Sequence, residues 1–116
     1  MGDIVPCIYD GDHLNDDLNI LRNNPATKRD VALLTAFLDE VASSEDARWQ
    51  LLRRSAENFV SPYFNCRAIE CFQDDGFNLY RLRPLTSRLQ KYRIIYAFDT
   101  NDASLHLLAV IVAVKD

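Results

Sequence analysis

Between residues 77 and 98 the chain carries Arg81, Arg83, Arg88, Lys91 and Arg93 and no Asp or Glu. Arg81 and Arg83 are two residues apart, so in an extended strand their side chains leave the same face, with Tyr80 and Leu82 on the other. Over residues 92–98 the same alternation groups Arg93 with Ile95 and Ala97 and turns Ile94, Tyr96 and Phe98 the opposite way. Where the registers of two such strands agree, one sheet face carries three guanidinium groups and its reverse is apolar. Converging guanidiniums suit bidentate contacts to phosphate oxygens. The simpler reading is that these are solvated sheet charges, or salt-bridge partners for acidic helices.

The rest of the chain gives this basic segment its contrast. Net charge is -4 over 116 residues and the isoelectric point is near 5.1, which on average argues against a nucleic-acid binder. The average conceals a segregation: residues 1–65 hold six Lys/Arg against eleven Asp/Glu. The acidic first half serves to dimerise, to mask the basic face or, most simply, to solubilise the protein; a homo-oligomer is therefore left open. At 48% hydrophobic residues with three glycines and four prolines, the composition predicts a packed core, and the length predicts a single domain spanning residues 1–116. No repeat, secretory leader or membrane-spanning apolar run is read, so a soluble, cytoplasmic protein without membrane association is expected. Cys7, Cys66 and Cys71 lack zinc-site spacing and are expected to pack as small buried hydrophobes. His13 and His106 add no ligand set. With no Gly-rich phosphate loop, nucleophile elbow or metal-binding helix, neither metal nor organic cofactor is predicted.

The elements that must position the arginines are read from periodicity. A short strand over residues 4–9 ends at Asp10-Gly11-Asp12. Leu14, Leu18 and Leu21 follow at helical spacing until Asn24-Pro25. Thr27 is the expected cap of the next helix, with Asp30 facing its free backbone amides. Val31, Leu34, Leu38 and Val41, widened by Phe37, form the core stripe of that helix. Ser44, followed by Glu45 and Asp46, caps a third helix predicted over residues 45–57, apolar at Trp49, Leu52 and Ala56. The period then changes to two. Residues 68–72 and 78–83 are read as an antiparallel pair around an Asp74-Asp75-Gly76 turn, and residues 92–98 and 105–114 as a second pair around Asn101-Asp102. The last strand, apolar on both faces, suits a position covered on both sides. The fold class is α+β: a short N-terminal strand, two to three helices within a helical half of about residues 12–60, then a mainly antiparallel sheet of about four strands within residues 66–116.

The ordered string Leu79-Tyr80-Arg81-Leu82-Arg83, then Tyr92-Arg93-Ile94-Ile95-Tyr96-Ala97-Phe98-Asp99, then the apolar closing strand resembles the core of RelE/ParE-superfamily toxins of type II toxin–antitoxin systems. The match covers roughly the last 40 residues; the helical first half agrees in type and is longer than the family's usual helical hairpin. The resemblance implies a RelE/ParE-like fold, an RNA-binding mRNA interferase that inhibits translation by cutting messenger on the ribosome, and a cognate antitoxin as partner. It implies that Arg81, Arg83 and Arg93 are the catalytic residues, binding the reacting phosphate and stabilising its transition-state charge, with Arg88, Lys91 and Lys115 as further RNA contacts. An acidic antitoxin segment is expected to compete for the basic residues between 81 and 93.

Two departures define the alternatives. RNA-cleaving members carry an Arg and a Tyr after the final strand, where this sequence has Lys115-Asp116; Tyr92, Tyr96 or His106 is the available substitute for proton transfer. The overall acidity also differs from ribosome-directed relatives. The alternatives are a ParE-like inhibitor of DNA gyrase without catalysis, or an inactive superfamily member acting as a protein-binding module.

Overall fold

The computed structural model describes residues 6–60, 62–70, 78–99 and 101–112. In chain order these form β1 (Cys7–Asp10), α1 (Asp12–Arg22), α2 (Lys28–Ser43), α3 (Glu45–Leu51), β2 (Ser55–Val60), β3 (Tyr63–Ala68), β4 (Leu79–Pro84), β5 (Tyr92–Asp99) and β6 (Ser104–Val112). The strands make one mixed six-stranded sheet in the order β1-β6-β5-β4-β3-β2. β1 runs parallel to β6 and every other pairing is antiparallel. The expected α+β class and strand–helices–strands order are observed, with three helices among the described residues and a sheet larger than the four strands read from the sequence.

The helices cover one face of the sheet. α1 buries Leu14 and Leu18, α2 buries Val31, Leu34, Phe37 and Val41, and α3 buries Ala47 and Leu51. They pack on Phe64, Cys66, Leu82, Tyr92, Ile94, Tyr96, Leu105 and Leu107, all at most 2% exposed. The alternation of strand side chains then forces Asn65 and Arg67 of β3, Arg81 and Arg83 of β4, and Arg93, Ile95 and Ala97 of β5 onto the opposite, uncovered face.

Local chemistry explains the junctions. Ser44 caps α3 as expected, its hydroxyl accepting the Ala47 N–H at 3.1 Å. Gly11 sits where β1 turns into α1, donating its N–H to the Leu107 carbonyl at 2.9 Å; a Cβ here would lie 2.9 Å from that oxygen. Beyond β1, the exposed edge of β6 is satisfied by α1, whose Asp17 carboxylate accepts the Val110 N–H at 2.9 Å.

Several expectations are corrected. The third helix stops at Leu51, not residue 57, because residues 55–60 pair with β3 through Ser55–Arg67, Ala56–Cys66, Phe59–Phe64 and Val60–Tyr63. Sheet pairing there overrides helix propensity, and Trp49 stays 42% exposed. The strand expected at 68–72 is instead Tyr63–Ala68; the Asp74-Asp75-Gly76 turn, Cys71 and Lys115 lie outside the described residues. Thr27 does not cap α2 with its side chain; its hydroxyl donates to Leu21 O at 2.7 Å. Cys7 is exposed rather than buried, since β1 is an edge strand and this residue faces outward. β6 is interior to the sheet yet not covered on both faces: Ile111, opposite Arg93 on the uncovered face, and Val112, on the helix side at the strand's end, are each 47% exposed. No helix among the described residues is long and apolar enough to cross a membrane.

Candidate functional site

The uncovered face gathers the arginines. In the β3–β4 register Asn65 stands opposite Arg83 and Arg67 opposite Arg81; in β4–β5 Arg81 stands opposite Ile95 and Leu82 opposite Ile94. Carried one position further, that second register faces Arg83 with Arg93. The three arginines singled out from the sequence therefore converge. With Arg67, Asn65, Glu57 and Cys66 they line a cavity of about 170 Å³.

Four guanidiniums around one carboxylate is an electrostatically unfavourable arrangement for an empty protein surface. Arg67 and Arg81 are a like-charged cross-strand pair, which by itself destabilises a sheet. Glu57 relieves part of this through an ion pair with Arg67 at 2.9 Å. Among the described residues the Arg81 side chain forms no hydrogen bond or ion pair, and Arg83 Nε is buried with no partner. Such a buried donor costs free energy unless an acceptor arrives. Arg93 is anchored by Nη1 donating to Gln90 O at 2.5 Å and to Tyr92 O at 2.9 Å. Its burial, then the Arg83 and Arg81 charges, pull its pKa below the usual arginine range. An anion in the cavity would satisfy Arg83 and relieve the mutual repulsion together.

Glu57 is delivered by an irregularity of β2. The β2–β3 register shifts between Ala56 and Phe59, and Asn58 adopts φ 55, a left-handed conformation that asparagine tolerates. The Asn65 side-chain oxygen accepts the Asn58 N–H, pinning the bulge. Sequence reasoning missed Glu57, Asn65 and Arg67. The signal for the last two was present: Asn65 and Arg67 alternate with Phe64, Cys66 and Ala68, the same period that exposed Arg81 and Arg83.

The other sequence candidates lie elsewhere. Arg88 Nε donates to Asp30 Oδ1 at 2.8 Å, Lys91 Nζ lies 3.1 Å from Asp30 Oδ2, and the Tyr92 hydroxyl donates to Oδ2 at 2.5 Å. Asp30 is only 1% exposed, so it is the buried anchor between α2 and the β4–β5 connection, and not a partner for the backbone amides of its own helix. Burial alone would raise its carboxyl; the bonds from Tyr92, Arg88 and Lys91 outweigh that and hold it at about 2. Burial and the Asp30 contact push Tyr92 up. The Tyr96 hydroxyl donates to Leu51 O at 3.0 Å under the helices, and its pKa is raised, chiefly by burial. His106 Nε2 contacts Ser104 Oγ at 3.1 Å. None of Tyr92, Tyr96 or His106 lines the arginine cavity. Burial raises the Cys66 thiol, which points to Gln50 O. Among the described residues no group of three or more His, Cys, Asp or Glu is placed to hold a metal ion.

The structure is similar to that of a chain in the crystal structure of the RelBE2 toxin–antitoxin complex from Mycobacterium tuberculosis. The two superpose with a TM-score of 0.50 over 94% of this chain and 99% of that one, at 16% sequence identity. The two chains share a fold. No family model and no curated protein matches the sequence. A likeness at this identity speaks for the fold, and the chemistry rests on the residues of the cavity.

Proposed function

We propose that the chain acts as a single-domain toxin of a type II toxin–antitoxin system, inhibiting translation by cutting messenger RNA on the ribosome. The observation that carries this reading is the cavity shared by Arg67, Arg81, Arg83 and Arg93, with the Arg83 Nε buried and unpartnered among the described residues. A phosphate of the RNA backbone supplies acceptors for that donor. In the reaction the 2′-hydroxyl attacks the adjacent phosphorus and the bond to the 5′-oxygen breaks, leaving a 2′,3′-cyclic phosphate and a 5′-hydroxyl. Arg81, Arg83 and Arg93 stabilise the charge that builds on the phosphoryl oxygens. Glu57, the one carboxylate lining the cavity among the described residues, takes the 2′-hydroxyl proton, with Arg67 holding it in place; the departing 5′-oxygen is protonated by water at the open mouth. Arg88 and Lys91 stand outside this reading, since Asp30 holds both.

The antitoxin partner fits the same surface: an acidic segment laid over the cavity would neutralise it. A role on the ribosome carries with it a cytoplasmic setting. A second reading, a gyrase-directed binder without catalysis, is favoured by the placement of Tyr92, Tyr96 and His106 away from the cavity. Induced expression in a bacterial host separates the two. Growth arrest with translation-dependent messenger cuts, lost in a folded Arg81→Ala, Arg83→Ala, Arg93→Ala variant, is the expected result. Arrest without cuts, accompanied by inhibited supercoiling, would replace the nuclease reading with the gyrase one.

A further inference from the structure

We propose that Tyr9, stacked on His106, is a platform for a nucleobase of the RNA strand whose phosphate occupies the arginine cavity. Tyr9 and His106 are opposite one another in the β1–β6 register, and their rings stack at 5.4 Å between centroids with 21° between planes. Tyr9 lies on the sheet's edge strand and is 53% exposed, so its ring is open on the side away from His106. A pre-stacked, half-exposed aromatic pair gives a base a flat surface whose ordering cost is already met by folding, and stacking of this kind accepts any base.

The pair is on the same face as the arginines. His106 stands opposite Ala97 on β5, and Ala97 shares its face with Arg93, four residues along the strand. Two strand spacings of about 4.8 Å and four residues of about 3.3 Å rise put Tyr9 roughly 16 Å from Arg93. At about 3.4 Å per stacked nucleotide, roughly five nucleotides fill that span, and fewer when the strand is extended. The ground between them is partly exposed Ile95, Ala97 and Ala109, with no acidic residue. Asp99, the next acid along β5, lies beyond Ala97, where its carboxylate accepts the Asn101 N–H at 2.8 Å. The positive cavity at one end supplies the charge complementarity that makes single-stranded RNA the occupant of this face. This inference rests on the phosphate reading of the cavity.

The test uses the full chain and 2′-O-methyl oligoribonucleotides, which bind without being cut, a dinucleotide and a hexanucleotide being titrated by fluorescence anisotropy. Tyr9→Ala is expected to weaken the hexanucleotide roughly 5- to 100-fold and leave the dinucleotide unchanged, while Tyr9→Phe, which keeps the ring, retains wild-type affinity for both. Unchanged hexanucleotide affinity in Tyr9→Ala, or an equal loss for both lengths, overturns the platform while leaving the cavity reading in place. Unchanged affinity combined with an altered oligomeric state by light scattering would assign the pair to a contact with a second copy. Failure of the wild-type chain to bind either oligonucleotide overturns the cavity reading and the platform with it.

Discussion

Asp30→Ala removes the acceptor on which three side chains converge, and the structure sets the cost. The Tyr92 hydroxyl is fully buried and is left without a partner, about 1–3 kcal/mol. The Arg88 and Lys91 side chains are 53% and 49% exposed, so each can return to water and its loss is at most about 1 kcal/mol. Together these predict a destabilisation of about 1–5 kcal/mol in urea unfolding at pH 7. Most of it is the orphaned hydroxyl, so adding Tyr92→Phe to Asp30→Ala should recover about 1 kcal/mol or more. The pH dependence follows from the same carboxyl, which is held at about 2 in the fold against an ordinary 3.8. Between those values the unfolded chain binds the extra proton. The stabilisation is therefore complete above 3.8 and is lost as pH falls toward 2, a term of about 2 kcal/mol. The gap between wild type and Asp30→Ala should narrow over that window. A variant within about 0.5 kcal/mol of wild type at pH 7, or a gap independent of pH, would refute the anchor. The same reasoning assigns Arg88→Ala and Lys91→Ala a loss of stability with no change in the salt dependence of RNA binding.

Glu57→Gln should abolish messenger cleavage while preserving or tightening affinity for a non-cleavable oligonucleotide, since it removes the carboxylate proposed to take the proton and, among the described residues, the only negative charge lining the cavity; undiminished cleavage would remove Glu57 from the mechanism. Ser44→Ala deletes the one side-chain cap of α3 and should cost about 1 kcal/mol by chemical denaturation. Gly11→Ala forces a Cβ against the Leu107 carbonyl, so the start of α1 must shift from β6, lowering stability by about 1–3 kcal/mol, read as a fall in melting temperature.

How far each feature could be read from the sequence depended on the range of the interactions that create it. Ser44 and the alternating Arg81 and Arg83 announce themselves within a few residues, because capping and strand alternation are local. Residues 55–57 extend an amphipathic helix in the sequence and become strand only through β3, so the Glu57–Arg67 ion pair, ten residues apart, was hidden with them. The Asp30 anchor joins partners 58 and 62 residues away. Asp30 near a helix start carries the signature of a local cap, and only the tertiary fold decides otherwise. The resemblance to the toxin family pointed to the strands of Arg81, Arg83 and Arg93, which the sheet registers bring together on one face. It did not point to Arg67 or Glu57, whose strands lie outside the matching segment.

The most direct test of the account is a purified ribosome translation reaction programmed with a defined messenger, with the cut ends identified chemically. The account predicts cuts that require translating ribosomes, leave 2′,3′-cyclic phosphate, disappear where a single 2′-deoxynucleotide replaces the attacking residue, and disappear in the folded Arg81→Ala, Arg83→Ala, Arg93→Ala variant. Cuts that persist in that variant, or no cuts from wild-type protein that binds the ribosome, would contradict it.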